Sequence, residues 1–197
     1  MTEREKWDKG VALVRKEYEA LSPSLKTHLN KCAAAVKLCK QTLYQLGERV
    51  RGVGICAQCG GECCKRGKNH VTTIDLLIYF GEGKEVFTPA FEQGICPYLG
   101  EEGCIMEPEY RPFNCIIFIC ELIEGLLGPQ ERERFYAVER ELRAHYDDFE
   151  RLFDNVFRYG LLSDYERSLA CNGAPILRGS ALGKTGCSRH ELSLPVF

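Results

Sequence analysis

The feature that most constrains this chain is a set of cysteines that a hydrophobic core does not account for. Between Gly54 and Glu121 the sequence reads GICAQCGGECC, then CPYLGEEGC, then YRPFNCIIFICE. This stretch carries Cys56, Cys59, Cys63, Cys64, Cys96, Cys104, Cys115 and Cys120, eight of the chain's twelve cysteines. Most of them fall among glycines and prolines, in segments with little core to join. Cys56 and Cys59 form a Cys-x2-Cys knuckle, in which a tight turn aims both sulfurs at one ion while backbone N–H groups point toward them. Gly60 and Gly61 permit the positive φ values that such a turn needs.

Thiols at this density imply either metal or disulfides, and the compartment decides between them. The N-terminal MTEREKWDKG is charged and lacks an apolar core segment, so the sequence predicts no signal peptide. No run approaches the roughly 18 apolar residues of a membrane span. The chain is therefore read as cytoplasmic, where thiols stay reduced and metal ligation is favoured over a disulfide framework. A net charge of -2 gives it no basic field for nucleic acid or an anionic membrane surface.

The flanks read as helices. Trp7, Val11, Val14, Tyr18 and Leu21 recur at spacings of 4 and 3, with Leu13 widening the stripe, until Ser22-Pro23-Ser24 breaks it. Leu25, Leu29, Cys32, Val36, Cys39, Leu43, Leu46 and Val50 continue the same alternation, which predicts an antiparallel helical hairpin. The period alone explains Cys32 and Cys39 as small buried hydrophobes. Thr72 and Asp75 form a capping box before Ile74, Leu76, Leu77, Ile78, Tyr79 and Phe80, which predicts a short helix stopped by Gly81, with a buried strand as the alternative. Residues 81–111 have loop composition. Pro112 is placed to open a helix through CIIFICELIEGLL to Gly128. Another begins at Pro129 or Gln130, with Phe135, Val138, Leu142, His145, Phe149, Leu152 and Val156 on one face, or Tyr146 in place of His145 if the stripe drifts. His145 is read as a hydrogen-bonded edge residue.

The predicted fold is mostly α, a helical bundle with a loop-dominated cysteine-rich metal-binding segment. Residues 1–53 form the hairpin, 54–121 the metal segment, 122–170 the helices packed on the hairpin, and 171–197 an irregular tail, in one compact unit. A zinc ion or a [4Fe–4S] cube takes four ligands, so eight thiols imply two sites or some packed sulfurs. On a continuous helix Cys115 and Cys120 lie about 140° apart and do not share an ion. Cys115 sits in the first turn, where the helix dipole favours a thiolate, and Cys120 lies deeper among apolar residues. Lys65, Arg66 and Lys68 can offset thiolate charge. His70 is the best non-cysteine ligand candidate, and Cys187-x2-His190 is a weaker one in the tail.

The pattern Cys56-x2-Cys59-x3-Cys63-Cys64, CPYL from Cys96, Cys104-Ile105-Met106 and Arg111-Pro112-x2-Cys115 resembles the CxxCxxxCC family, the YkgJ-like cysteine-cluster proteins described as a zinc- or iron-chelating domain. The resemblance covers about a third of the chain. It implies bound iron–sulfur or zinc and a bacterial cytoplasmic setting, and some relatives carry the pattern within a flagellin lysine methylase.

Two function classes use these residues. One is an iron–sulfur protein acting in electron transfer, or as an accessory to a redox or radical enzyme, with a redox or enzyme protein as partner. The other is a zinc-stapled protein-interaction module. The iron–sulfur reading is preferred, because a zinc protein more often shows clean pairs of Cys-x2-Cys and the chain has one. A lysine-methylase-like enzyme is the third alternative. No acid–base pair, nucleophile–base set or glycine-rich nucleotide loop stands out, so no catalytic residue is assigned.

This reading predicts that a Cys56→Ser/Cys59→Ser double variant loses metal, whereas Cys32→Ala does not. Elemental analysis checks both, and an unchanged metal stoichiometry in the double variant contradicts the ligand assignment.

Overall fold

The computed structural model describes residues 1–58, 69–87, 89–91, 96, 98–100 and 103–177, apart from the side chains of residues 53, 56, 57, 99 and 103. The fold is mostly α. In chain order come α1 (Glu3–Glu19), α2 (Pro23–Glu48), α3 (Gly52–Gln58) and α4 (Thr73–Gly81), then two short strands, β1 (Leu99–Gly100) and β2 (Gly103–Cys104). A 3-10 turn (Pro108–Tyr110) leads to α5 (Phe113–Ile117), α6 (Glu121–Glu124), α7 (Pro129–Phe153) and α8 (Leu161–Ala170). No helix among the described residues is long and apolar enough to cross a membrane.

The helix starts follow local chemistry. Thr2 and Glu5 form a capping box on α1, and Ser22 caps α2 with Pro23 at its first turn. Thr72 and Asp75 cap α4 as the sequence predicts. At α7 the Gly128 N–H donates to Glu131, with Pro129 following. The C-terminus of α7 is closed by Asp154 in the left-handed conformation, three residues after Arg151.

α4 is the hub. Residues Thr73 to Phe80 are all buried, so it has no solvent face, as expected of a helix apolar all round. It packs against both α1 and α2. The seam of α2 is buried as the periodicity predicts, at Leu29, Val36, Cys39, Leu43 and Leu46. Its main partner is α7, while α1 packs chiefly on α8 and α4. The two helices of the expected hairpin thus pack mainly on other elements and not on each other. Gly10 lets α1 approach α8 closely, since a Cβ there meets the Leu161 side chain at 3.3 Å. At Gly160 a φ of 88° and a Cβ position 2.1 Å from the Asn69 carbonyl oxygen demand glycine. The Leu161 N–H then donates to the Val71 carbonyl at 2.7 Å, joining α8 to the start of α4.

One buried polar cluster ties three helices together. Lys40 of α2 donates to Asp75 Oδ1 at 2.7 Å, and the Tyr146 hydroxyl of α7 donates to the same oxygen at 2.6 Å. The Thr72 N–H and hydroxyl donate to Asp75 Oδ2 at 2.9 and 2.8 Å. Lys40, Asp75 and Tyr146 are 0%, 1% and 0% exposed. Burial first, and the Asp75 charge second, hold the Tyr146 hydroxyl well above its ordinary pKa, so it remains a donor. At the other side of α4, Thr73 donates to Asp164 Oδ2 at 2.6 Å and Arg167 pairs with the same carboxyl.

Two expectations are corrected. The segment after Pro112 is not one helix to Gly128. Phe118 (φ -78°, ψ 120°) and Cys120 (φ -76°, ψ 156°) are extended, and the chain re-enters a helix only at Glu121. The break leaves Phe118, Leu122 and Leu126 exposed. Nor is the start of the segment read as loop-dominated a loop: the break falls at Arg51 (φ 57°), and Gly52 opens α3, which carries Cys56.

Lys40→Met is expected to cost about 3–5 kcal/mol, because it strands the buried Asp75 charge; urea unfolding measures it. Burial pushes the Asp164 carboxyl from 3.8 up to about 7, against the lowering effects of Arg167 and Thr73. The folded chain then holds a proton that the unfolded chain releases, so this contribution to stability falls as pH rises from 3.8 to about 7. Asp164→Asn should flatten that part of the stability–pH curve.

Candidate metal centre

The frame positions the cysteine-bearing segments through aromatic and ionic contacts. The ring of Phe113 on α5 packs on Tyr146, with centroids 4.4 Å apart, so the start of α5 rests on the buried polar cluster. Lys37 of α2 donates to Glu82 at 2.7 Å and to the Tyr110 hydroxyl at 3.0 Å, while the Tyr110 ring lies 4.8 Å from that of Tyr79. Arg111 donates to the Met106 carbonyl at 3.2 Å and covers the Tyr44 ring. These contacts hold residues 106–113 along α2 and deliver Cys115.

The β1–β2 pair places Cys104 across from Leu99, and the Ile105 N–H donates to the Tyr98 carbonyl at 3.0 Å. α3 packs against both β2 and α6. The backbone segments that carry Cys56, Cys104 and Cys120 are therefore neighbours, although 64 positions separate the first from the last. Cys120 is the N-cap residue of α6 rather than a core residue of a longer helix. Cys115 lies on α5, a helix of only five residues, so the dipole assistance expected from a long helix is small. Cys115 and Cys120 belong to separate elements, and their assumed helical separation does not apply.

His70, half-buried, brings Nδ1 to 3.1 Å from Cys115 Sγ. Burial lowers its pKa, which favours the neutral imidazole that ligates metals. Cys96 is buried and Cys104 half-buried. Between them lies Tyr98, 1% exposed, whose hydroxyl has no hydrogen-bond partner among the described residues. Burial first, then the nearby Cys115 and Cys96, push its pKa upward and keep it a donor. An orphaned buried donor beside thiols fits a site completed by sulfur acceptors. His70 and Cys115 meet directly, whereas among the described residues no three of Cys96, Cys104, Cys115 and His70 bring their donor atoms within 4.8 Å of one another. What suits zinc or iron is their chemistry, soft thiols with an imidazole.

Cys59, Cys63 and Cys64 lie outside the described residues, as do Lys65, Arg66, Lys68, Cys187 and His190, and the Cys56 side chain is likewise not described. Cys171 is disulfide-bonded, which departs from the expectation that the thiols stay reduced.

A second group joins residues that periodicity explains separately as core or edge positions. Among the described residues, Cys39, Glu141 and His145 bring one donor atom each within 4.8 Å of one another. Cys39 is buried as predicted, and burial, with a smaller contribution from Glu141, pushes its thiol up to about 11. Cys32 is half-buried, with its Sγ 3.7 Å from His28 Nε2. Sequence reasoning missed Lys40, Tyr98 and this triad. Lys40 left a signal, since Leu29, Ala33, Val36, Lys40 and Leu43 continue the 4–3 alternation and a charge on an apolar stripe needs a buried partner.

No family model, curated protein or solved structure matches the chain.

His70→Ala should lower the affinity for metal without a comparable loss of fold stability, because the side chain sits outside the Lys40–Asp75 cluster. A chelator competition read beside a urea melt checks this.

Proposed function

We propose that the chain is a cysteine-cluster metal protein with a [4Fe–4S] centre, acting in electron transfer or as an accessory to a redox or radical enzyme in the cytoplasm. The observation that carries this reading is the convergence of α3, β2 and α6, which brings the segments bearing Cys56, Cys104 and Cys120 together. The unpartnered Tyr98 hydroxyl adds support, since donors to cluster sulfur tune reduction potentials. The CxxCxxxCC resemblance agrees with it and rests on the motif alone. In this reading the thiolates hold the iron, and the buried Phe113 and Ile116 beside Cys115 limit the access of water on that side.

One observation favours a zinc-stapled interaction module instead. His70 sits against Cys115, and an imidazole among thiolates is a common zinc set. Both readings use the same positions because soft ligands select either metal.

Metal and acid-labile sulfide analysis of protein purified without oxygen, with a visible spectrum of the same sample, separates them. The expected result is iron and sulfide at about four each per chain, with broad visible absorbance. Zinc without sulfide or colour supports the second reading, and absence of both metals contradicts the two together.

A further inference from the structure

We propose that the seam between α2 and α7 holds a second metal site, for a divalent cation of the zinc class, ligated by Cys39, Glu141 and His145. None of the three belongs to the cysteine segment, and the inference does not rest on the function proposed above.

The donors come from two long facing helices. Glu141 and His145 stand one turn apart on α7, with His145 Nε2 3.9 Å from Glu141 Oε1, and Cys39 meets them from α2. The three donor atoms already lie within 4.8 Å of one another, so small side-chain movements bring them around one ion. The backbone beneath them is fixed. Lys40 follows Cys39, Tyr146 follows His145, and both neighbours donate to the same oxygen of Asp75. That buried cluster sets the register of the two helices, which is the support a designed metal site requires.

The surroundings also suit a metal. The other ring nitrogen of His145, Nδ1, lies 4.0 Å from Asp148 Oδ2, so a carboxylate stands on the side from which a ligating histidine is commonly oriented, and a small rotation brings it to hydrogen-bond distance. Cys39 is buried, the His145 side chain 26% exposed and that of Glu141 63% exposed. The three donors thus run from the interior to the surface, and a fourth position falls to water. This is the arrangement of three protein ligands and one open position seen in catalytic zinc sites. A thiolate, a carboxylate and a neutral imidazole together balance a divalent charge, which suits a half-buried seam. Thiolate and imidazole select zinc over the oxygen-preferring calcium and magnesium. On binding, the Cys39 thiol releases its proton to solvent and the metal takes its place.

The test uses the full chain, equilibrated with zinc, freed of excess and analysed for zinc, iron and sulfide. His145→Gln, Glu141→Gln and Cys39→Ala are each compared with the wild type. The expected result is one zinc per chain fewer in every variant, with iron and sulfide unchanged. His145 and Glu141 carry solvent-accessible side chains, so their variants fold even where Cys39→Ala weakens the core. Equal zinc content in the wild type and the two α7 variants overturns the site, as does a loss confined to Cys39→Ala. The same analysis on Cys56→Ser/Cys59→Ser keeps the two proposals apart. Retention of the seam zinc there, whatever becomes of iron and sulfide, supports this site independently of the cysteine segment.

Discussion

The carboxylate of Asp75, buried between α2, α4 and α7, is the group on which the rest of the structure depends. Left unpaired in the interior, a buried carboxylate carries a large desolvation cost. Lys40 neutralises it, Tyr146 shares one oxygen, and Thr72 supplies two donors to the other. The lysine charge is itself fully buried, so each partner makes the other tolerable. Apolar packing would accept several rotations and translations of α2 against α7, whereas an ion pair with its hydrogen bonds accepts one. Such a cluster contributes more to uniqueness than to net stability, since a well-packed apolar replacement can match its energy.

That register reaches the cysteines by contact. Tyr146 packs, ring tilted, on Phe113, two residues before Cys115. Lys37, one turn before Lys40, holds Tyr110 and with it the approach to α5. Beyond this frame, residues 82–111 hold little regular structure among the described residues, chiefly a pair of two-residue strands and the 3-10 turn Pro108–Tyr110. Cys96, Tyr98, Met106 and Tyr110 anchor this segment to the core at separate points, with little regular backbone pairing between them. Under the proposed reading the metal supplies the missing cross-links, so metal binding and folding of this part are one equilibrium.

Much of the frame was legible in the sequence because it is local. The Thr72–Asp75 box, the α2 seam and the start of α7 follow from spacing and cap chemistry, and Tyr146 rather than His145 takes the fully buried place on α7. What failed was long-range or conformational. Periodicity says that α2 has a buried face but not what covers it, and α7 rather than α1 proved the main partner. The apolar run from Cys115 to Leu127 suits a helix as well as it suits two short ones, and nothing local announces the extended residues at Phe118 and Cys120. Cys39 was read correctly as a buried position, whereas His145, read as a hydrogen-bonded edge residue, stands at the edge with its carboxylate neighbours at 3.9 and 4.0 Å. That Glu141 joins them depends on the register of two helices a hundred residues apart, which no local pattern encodes.

X-ray absorption at the edge of whichever metal the purified chain retains tests the central claim most directly, since it reports the ligands without assuming the metal. The account predicts a first shell dominated by sulfur at about 2.3 Å, with short iron–iron scattering if the centre is a cluster. A shell of oxygen and nitrogen alone, or a chain that retains no metal, would contradict it.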